Sequence, residues 1–349
     1  MKMFAAALLS VCLLTAPSVS AANETVPSVS AAGAVLMDAE TGTVLFEKNA
    51  DGRRQIASTT KIMTGLVVLE LANLDDTLEI PEEAVGVEGS SMYLTAGQSV
   101  TVRDLLYGLL LKSGNDAAVA LAIHCAGSVE AFSGKMNEKA AKLGLQNTRF
   151  SNPHGLNAEN HYSSARDMAL LTRAALQNEM FSRVVSSKYA QINGITIKNH
   201  NRMLWSYSGA DGVKTGYTVD AGRCLVSSAT RGGMRLIAVT LNAHSDWADH
   251  TALLDFGFEH YTLRAVCEKD APLASVPLFG GGGGNLPVRC ARTLRVLLPK
   301  EKADELNVSV MLPRYLWAPV IPGQRVGWLT AVLDGRILSQ CPLLAEVNG

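Results

Sequence analysis

Ser58-Thr59-Thr60-Lys61-Ile62-Met63-Thr64-Gly65-Leu66-Val67-Val68-Leu69-Glu70-Leu71-Ala72 is the stretch that decides how this chain folds. After Lys61 the run is apolar on nearly every face of a 3.6-residue period, the pattern of a helix enclosed inside a domain. Ser58 falls at the N-terminus of that helix. Lys61, three residues on, shares its face and can reach its hydroxyl.

The flanking sequence supplies covering elements for such a helix. Upstream, Ala34 to Asp38 and Thr43 to Glu47 are β-prone runs around Glu40-Thr41-Gly42 and read as a hairpin. Downstream, Thr101-Val102-Arg103-Asp104 is a capping box with Asp in place of Glu and opens a helix through Leu111. Lys112 to Asn115 interrupt it. Asp116 to Cys125 then form an alanine-rich helix stopped by Gly127, and Val129 to Leu143 a polar-faced helix ending at Gly144. The turn Asn152-Pro153-His154-Gly155 precedes another helix, opened by Ser164-Ala165-Arg166-Asp167.

After Ser187 the period changes. Ala190 to Ile192 and Ile195 to Ile197 flank Asn193-Gly194, a two-residue hairpin signal. Val213 to Tyr217, Cys224 to Thr230 and Met234 to Asn242 read as antiparallel neighbours, and Asp246 to Tyr261 as a closing amphipathic helix. Early strands, a helical middle and late strands predict an α+β fold, with an antiparallel sheet that the first hairpin joins and a helical cluster against it. From about Thr262 short β-prone runs alternate with Pro and Gly, with a helical signal only around Lys300 to Leu306; a small all-β domain is expected. The run Gly280 to Gly284 reads as a hairpin loop, since no Lys-Ser/Thr pair and no helix follow it as a phosphate-binding loop requires.

A chain of 349 residues is long for one core, and two domains are expected. The divisions are 1–22 as an export signal, 23–261 and 262–349. Lys2, the apolar stretch Ala5 to Leu14, and Val19-Ser20-Ala21 or Ser20-Ala21-Ala22 as a cleavage site carry the export reading; an uncleaved anchor is its alternative. A formal net charge of -1 gives no field that would draw the chain onto nucleic acid. Removing the signal takes Cys12 and leaves Cys125, Cys224, Cys267, Cys290 and Cys341, an odd set without Cys-x-x-Cys spacing. No disulfide framework is implied, although one pair among the last three could close within the second domain. The histidines lack ligand spacing, so neither a metal nor a cofactor is expected.

Three short motifs carry the chemistry. A serine hydroxyl is a weak nucleophile without a base, and Lys61 can serve Ser58 if burial and a second cation keep it neutral; Lys214 is the candidate cation. Ser113-Gly114-Asn115 breaks an apolar helical stretch. Its Ser113 hydroxyl can relay a proton, and its Asn115 amide can hold substrate or Lys61. Lys214-Thr215-Gly216 begins a β-prone run and presents a cation and a hydroxyl to an anionic group beside a glycine that allows close approach. Alone, the first motif reads as a helix cap with a surface lysine, the second as caps between two helices, and the third as an edge-strand lysine.

Taken together and in this order, the motifs resemble those of the serine D-alanyl-D-alanine carboxypeptidases, the low-molecular-mass penicillin-binding proteins. The likeness extends to Gly89-Ser90-Ser91-Met92-Tyr93-Leu94, Asp104 to Leu111, Asn152-Pro153-His154-Gly155-Leu156 and Asp211-Gly212-Val213. The resemblance implies a β-lactamase-like transpeptidase fold with a β-sandwich behind it, in the cell envelope. The implied substrate is the peptidoglycan stem peptide ending in D-Ala-D-Ala. Ser58 would be the nucleophile and Lys61 its base, with Ser113 and Asn115 assisting. Lys214, Thr215, Gly216 and Tyr217 would bind substrate, and the N–H groups of Ser58 and Tyr217 would form the oxyanion hole. Some relatives carry arginine near the position of His200.

β-Lactams are then covalent inhibitors. The Glu-x-x-Leu-Asn loop that lets class A β-lactamases deacylate is missing between the second and third motifs. Many relatives end in a membrane-lying amphipathic helix, whereas Leu343 to Gly349 reads as a final strand and tail, so membrane attachment is left open. A non-catalytic penicillin-binding sensor, an endopeptidase and a β-lactamase are the alternatives on the same fold.

Overall fold

The computed structural model describes residues 26–192, 194–281 and 283–346. The export segment with Cys12, Asn193 of the hairpin turn, Gly282 and the last three residues lie outside them.

The chain opens with the hairpin β1 (Gly33–Asp38) and β2 (Val44–Lys48), then a tight helical turn over Ala57–Thr60 that leads into α1 (Lys61–Leu71). A short pair, β3 (Thr77–Glu79) and β4 (Ser99–Thr101), precedes the helices α2 (Val102–Tyr107), α3 (Asn115–Ala126), α4 (Val129–Lys142), α5 (Ala165–Leu176) and α6 (Glu179–Ser186). β5 (Tyr189–Ile192) and β6 (Ile195–Lys198) form the separate hairpin that the Asn193-Gly194 pair announces. The single turn α7 (Met203–Ser206) is followed by β7 (Ala210–Thr218), β8 (Gly222–Arg231), β9 (Met234–Leu241) and α8 (Asp246–His260).

One antiparallel sheet in the order β2-β1-β9-β8-β7 organises this unit, so the first hairpin does join the late strands. Both sheet faces are covered, and every residue of β1 is buried. Strand alternation divides its side chains. Val35 and Met37 of β1, with Ile237 and Val239 of β9, face the helical cluster of α1 to α6. Ala34 and Leu36, with Leu236 and Ala238, face the side covered by Leu253, Leu254, Phe256 and Phe258 of α8. In α1 the side chains of Ile62, Met63, Leu66, Val67 and Val68 are all buried. Each contributes about 1.5–3 kcal/mol, which is the reserve that lets the same helix carry a fully buried lysine.

Two local differences from the expected helices sit at the chemistry. Ser58 lies on the tight turn, and the α-helix proper starts at Lys61. The helix from Val102 keeps regular geometry only to Tyr107; Gly108–Lys112 widen into a π-type turn before Ser113, a deformation that recurs where a helix is bent to serve a site. Helix α6, whose Phe181, Val184 and Val185 face inward, has no strong start signal beyond Asn178, whose side chain caps it by accepting from Met180 and Phe181 N–H.

The second unit is all-β apart from a helical turn over Lys300–Glu305. It comprises β10 (Tyr261–Cys267), β11 (Pro272–Phe279), β12 (Gly284–Cys290), β13 (Leu294–Pro299), β14 (Asn307–Met311), β15 (Leu316–Trp317), β16 (Arg325–Leu333) and β17 (Arg336–Ala345). β10 pairs with β13, and the other six form a sheet in the order β14-β16-β17-β12-β11-β15. β11 and β12 pair antiparallel on either side of the glycine run, with Leu278 opposite Gly284. Tyr261 and Leu297 extend the apolar cluster under α8, and Arg295 pairs with Glu40 at 3.1 Å across the junction. A cavity of about 920 Å³ opens at this junction, between the first hairpin, Arg166 and Arg295, and none of the three motifs lines it. Among the described residues no single helix is long and apolar enough to cross a membrane.

Candidate active site

Ala57, immediately before Ser58, has φ 45°, a left-handed conformation that costs a non-glycine residue about 1–3 kcal/mol. Neighbouring polar groups hold it there. Thr60 Oγ1 donates to the Ala57 carbonyl at 2.8 Å, and Thr59 Oγ1 donates to Ile56 O at 2.6 Å. His161 Nδ1 accepts from Ser151 N–H at 3.1 Å, so in its neutral form Nε2 carries the proton and donates to Thr60 Oγ1 at 2.8 Å. Burial, with Lys61 nearby, pulls His161 down to about 4 and keeps it neutral.

The turn Asn152 to Leu156 presses against this corner. Asn152 Oδ1 accepts from His154 and Gly155 N–H, and its Nδ2 donates to Leu156 O. Gly155 has φ 90°, and a Cβ there would stand 1.9 Å from the Ala57 oxygen. Only glycine permits this approach. It brings the His154 carbonyl over Lys61, and the Pro153 carbonyl accepts from Thr64 Oγ1 at 2.5 Å.

Lys61 is fully buried. Its Nζ lies 2.9 Å from Ser58 Oγ, 2.6 Å from Asn115 Oδ1 and 2.7 Å from His154 O. Desolvation, and then the positive field of Lys214, holds its amine well below the usual lysine range, with the Asp116 carboxylate opposing. A neutral amine has two N–H donors and one lone pair. The Asn115 and His154 oxygens are acceptors only and take the two N–H groups, leaving the lone pair for the Ser58 hydroxyl.

The second motif reaches the site from the opposite side. Ser113 is left-handed at φ 66°, between the π-type turn and α3. Asn115 begins α3, and its Nδ2 donates to Glu88 O while its N–H donates to Ser90 O, so the amide that faces Lys61 is fixed at both ends. The neighbouring Asp116 is a residue whose part the motif reading missed. Its buried carboxylate accepts from Ser91 Oγ at 2.6 Å and from Met92 and Leu94 N–H, clamping the Gly89 to Leu94 loop onto the start of α3. The signal was present: a carboxylate at the head of an otherwise apolar, alanine-rich helix.

Lys214 is buried on the edge strand β7 and donates to Ser113 Oγ at 3.0 Å and to Thr215 O at 2.9 Å. Burial lowers it to about 7. Gly216 backs directly on the N–H groups of Ser58 and Thr59; a Cβ on it would stand 3.0 Å from both nitrogens. Thr215 is half-buried and Tyr217 is exposed. His200 donates its N–H to Leu111 O, and burial, followed by Lys214 and Lys112, lowers its imidazole. The structure thus brings Ser58, Lys61 and Asn115 into one hydrogen-bonded set and Ser113 and Lys214 into a second, the two coupled by the field of Lys214 on Lys61, with Thr215, Gly216 and Tyr217 following Lys214 on the same strand.

Known proteins share this architecture. The family described as D-alanyl-D-alanine carboxypeptidase matches residues 20–245, and the penicillin-binding protein 5 C-terminal domain matches residues 261–348. The D-alanyl-D-alanine carboxypeptidase DacF of Bacillus subtilis is 36% identical over 327 residues, 90% of this chain and 84% of that protein. DacC of Escherichia coli, another D-alanyl-D-alanine carboxypeptidase, is 38% identical over 354 residues, 96% of this chain and 88% of that one. The crystal structure of penicillin-binding protein 5 from Haemophilus influenzae superposes with a TM-score of 0.82 at 33% identity, over 93% of this chain and 99% of that one. With sequence and architecture matched along nearly its whole length, this chain belongs to the D-alanyl-D-alanine carboxypeptidase family.

Proposed function

We propose that the chain is a serine D-alanyl-D-alanine carboxypeptidase, which removes the terminal D-alanine from peptidoglycan stem peptides in the bacterial cell envelope. The observation that carries this reading is the set of partners around Lys61 Nζ, two carbonyl oxygens and the Ser58 hydroxyl.

Ser58 Oγ attacks the carbonyl between the two D-alanines as its proton passes to the Lys61 lone pair. The N–H groups of Ser58 and Tyr217 stabilise the oxyanion. Ser113, hydrogen-bonded to Lys214, relays a proton to the leaving amine, and Asn115 keeps Lys61 oriented. Lys214 with Thr215 binds the terminal carboxylate on β7. D-Alanine departs, and water hydrolyses the acyl-enzyme. A β-lactam takes the place of the dipeptide and acylates Ser58. Among the described residues the hydrogen-bond partners of Ser58 and Lys61 include no carboxylate to activate a water, which supports slow deacylation and hence inhibition.

Residues 23–261 form the catalytic unit in this reading, 262–349 a β-domain behind it, and 1–22 the export signal. The test is D-alanine release from a peptide ending in Lys-D-Ala-D-Ala, beside Ser58→Ala. Serine-dependent release is expected. Labelling by a fluorescent penicillin without release would instead indicate a sensor, and rapid recovery from the label a β-lactamase.

A further inference from the structure

The second unit holds a side-chain cluster that takes no part in this chemistry. Cys267 ends β10, Cys290 ends β12 and Cys341 lies within β17, and their three sulfur atoms lie within 4.8 Å of one another. The strands belong to two different sheets: Cys267 faces Leu294 in the β10-β13 pair, while β12 and β17 are neighbours in the larger sheet, with Cys290 opposite Leu343. All three thiols are buried, Cys290 and Cys341 completely, among Val276, Val288, Leu294, Leu329 and Leu343.

A fourth donor faces the same point. The Arg292 carbonyl oxygen, in the turn between β12 and β13, lies 3.2 Å from Cys341 Sγ and 3.8 Å from Cys267 Sγ. We propose that Cys267, Cys290 and Cys341 bind one thiophilic d10 cation, zinc(II) or copper(I), as a staple between the two sheets of the second unit.

Three considerations favour an ion over a disulfide. A disulfide uses two sulfurs, whereas here three converge on one point with an oxygen behind them. Metal–sulfur bonds of about 2.3 Å in a tetrahedral site put sulfurs about 3.8 Å apart, so each pair closes by roughly an ångström or less. Copper(I) is also satisfied by three soft sulfurs alone. An arriving cation displaces up to three thiol protons into solution, forming metal–sulfur bonds with no change of oxidation state. The unit also has reason to need a staple, since its interior is split into two small apolar clusters.

The test uses the full chain, reduced and stripped with a chelator. It is titrated with cobalt(II) as a spectroscopic probe, with zinc in competition, and separately with copper(I) under anaerobic conditions against a chromophoric chelator. One equivalent is expected to bind, with a thiolate-to-metal charge-transfer band, protons released, and a rise in the unfolding temperature. Competition by zinc or retention of copper(I) identifies the ion, and either supports the site. Cys267→Ser and Cys341→Ser should weaken binding by about 100-fold or more, while Cys125→Ser binds as the parent does. Penicillin labelling of Ser58 in each variant checks that the catalytic unit is folded. The proposal is overturned if neither ion binds the parent chain, if binding survives in the Cys267→Ser/Cys341→Ser double variant, or if the unreduced protein carries a disulfide within the trio.

Discussion

Lys61 Nζ sits 2.6 Å from Asn115 Oδ1, an amide oxygen brought to it across 54 residues of sequence. The amide matters because it is neutral. It accepts a hydrogen from the buried amine without adding a negative charge that would draw a proton onto it, so desolvation and Lys214 can keep Lys61 unprotonated.

Asn115→Asp puts a carboxylate at that distance and favours the ammonium form of Lys61. Acylation by a fluorescent penicillin at neutral pH should fall on the order of 100-fold, the usual scale of a lost general base. The acid limb of kcat/KM should move to higher pH. An unchanged acylation rate and limb would show that the protonation state of Lys61 does not control attack.

Lys214 is lowered to about 7 by burial, so in the free enzyme it loses its charge as pH rises through neutrality. The free-enzyme profile, kcat/KM, should therefore decline above about pH 7 as the carboxylate-binding cation disappears. Lys214→Arg keeps the charge at all working pH values and should remove that decline, at a lower plateau because Ser113 Oγ loses its 3.0 Å partner geometry. A decline of the same position in the arginine variant would assign the limb to another group.

Gly155→Ala places a methyl carbon 1.9 Å from the Ala57 oxygen at a φ of 90°. The clash is with backbone that cannot swing aside, and a cost of about 2–5 kcal/mol is expected. Thermal unfolding should show the loss, and penicillin labelling should fall with it, because the His154 carbonyl leaves Lys61 and the Ala57 turn shifts beneath Ser58. A variant with parental melting and labelling would contradict this packing.

Two buried histidines and the half-buried His154 make the fold acid-sensitive. His154 and His250 are lowered to about 3 and His161 to about 4, in each case chiefly by desolvation. The unfolded chain takes up these protons near pH 6.5, and the native state does not until the folded values are reached. Their contribution is thus complete above pH 6.5 and is lost as pH falls toward 4 to 3, by up to about 1.4 kcal/mol per pH unit for each. His250, tied to Ser227 Oγ at 2.6 Å and Thr240 Oγ1 at 2.9 Å, offers the cleanest test. His250→Gln should flatten the pH dependence of denaturant unfolding between pH 6.5 and 4; an unaltered slope would remove His250 from the account.

The sequence was most legible where a signal is local. Thr101 and Ser164 cap their helices through Asp104 and Asp167 N–H as the capping patterns state, and the Glu40 to Gly42 turn and the glycine run each lie between paired strands. It was least legible where packing overrides propensity. The π-type turn over Gly108–Lys112 leads directly into Ser113, whose partner Lys214 is remote in sequence, and the left-handed Ala57 is held by Thr60 and His161, neither of which marks that residue in the sequence. Among Cys267, Cys290 and Cys341 the sequence offered at most one closing pair, whereas all three are free and converge; ligand spacing assumes donors on one short segment, and these come from three strands.

The amino-acid sequence by itself determined which reactive groups this protein has and in what order its elements run, because residue type and hydrophobic period are properties of short stretches. The tertiary structure alone decided the state of those groups. Lys61 is held below its ordinary range by a fully buried helix and by Lys214, and is oriented by Asn115 and His154, all delivered from distant parts of the chain. Desolvation and field both depend on three-dimensional proximity, so no spacing along the chain could have carried them.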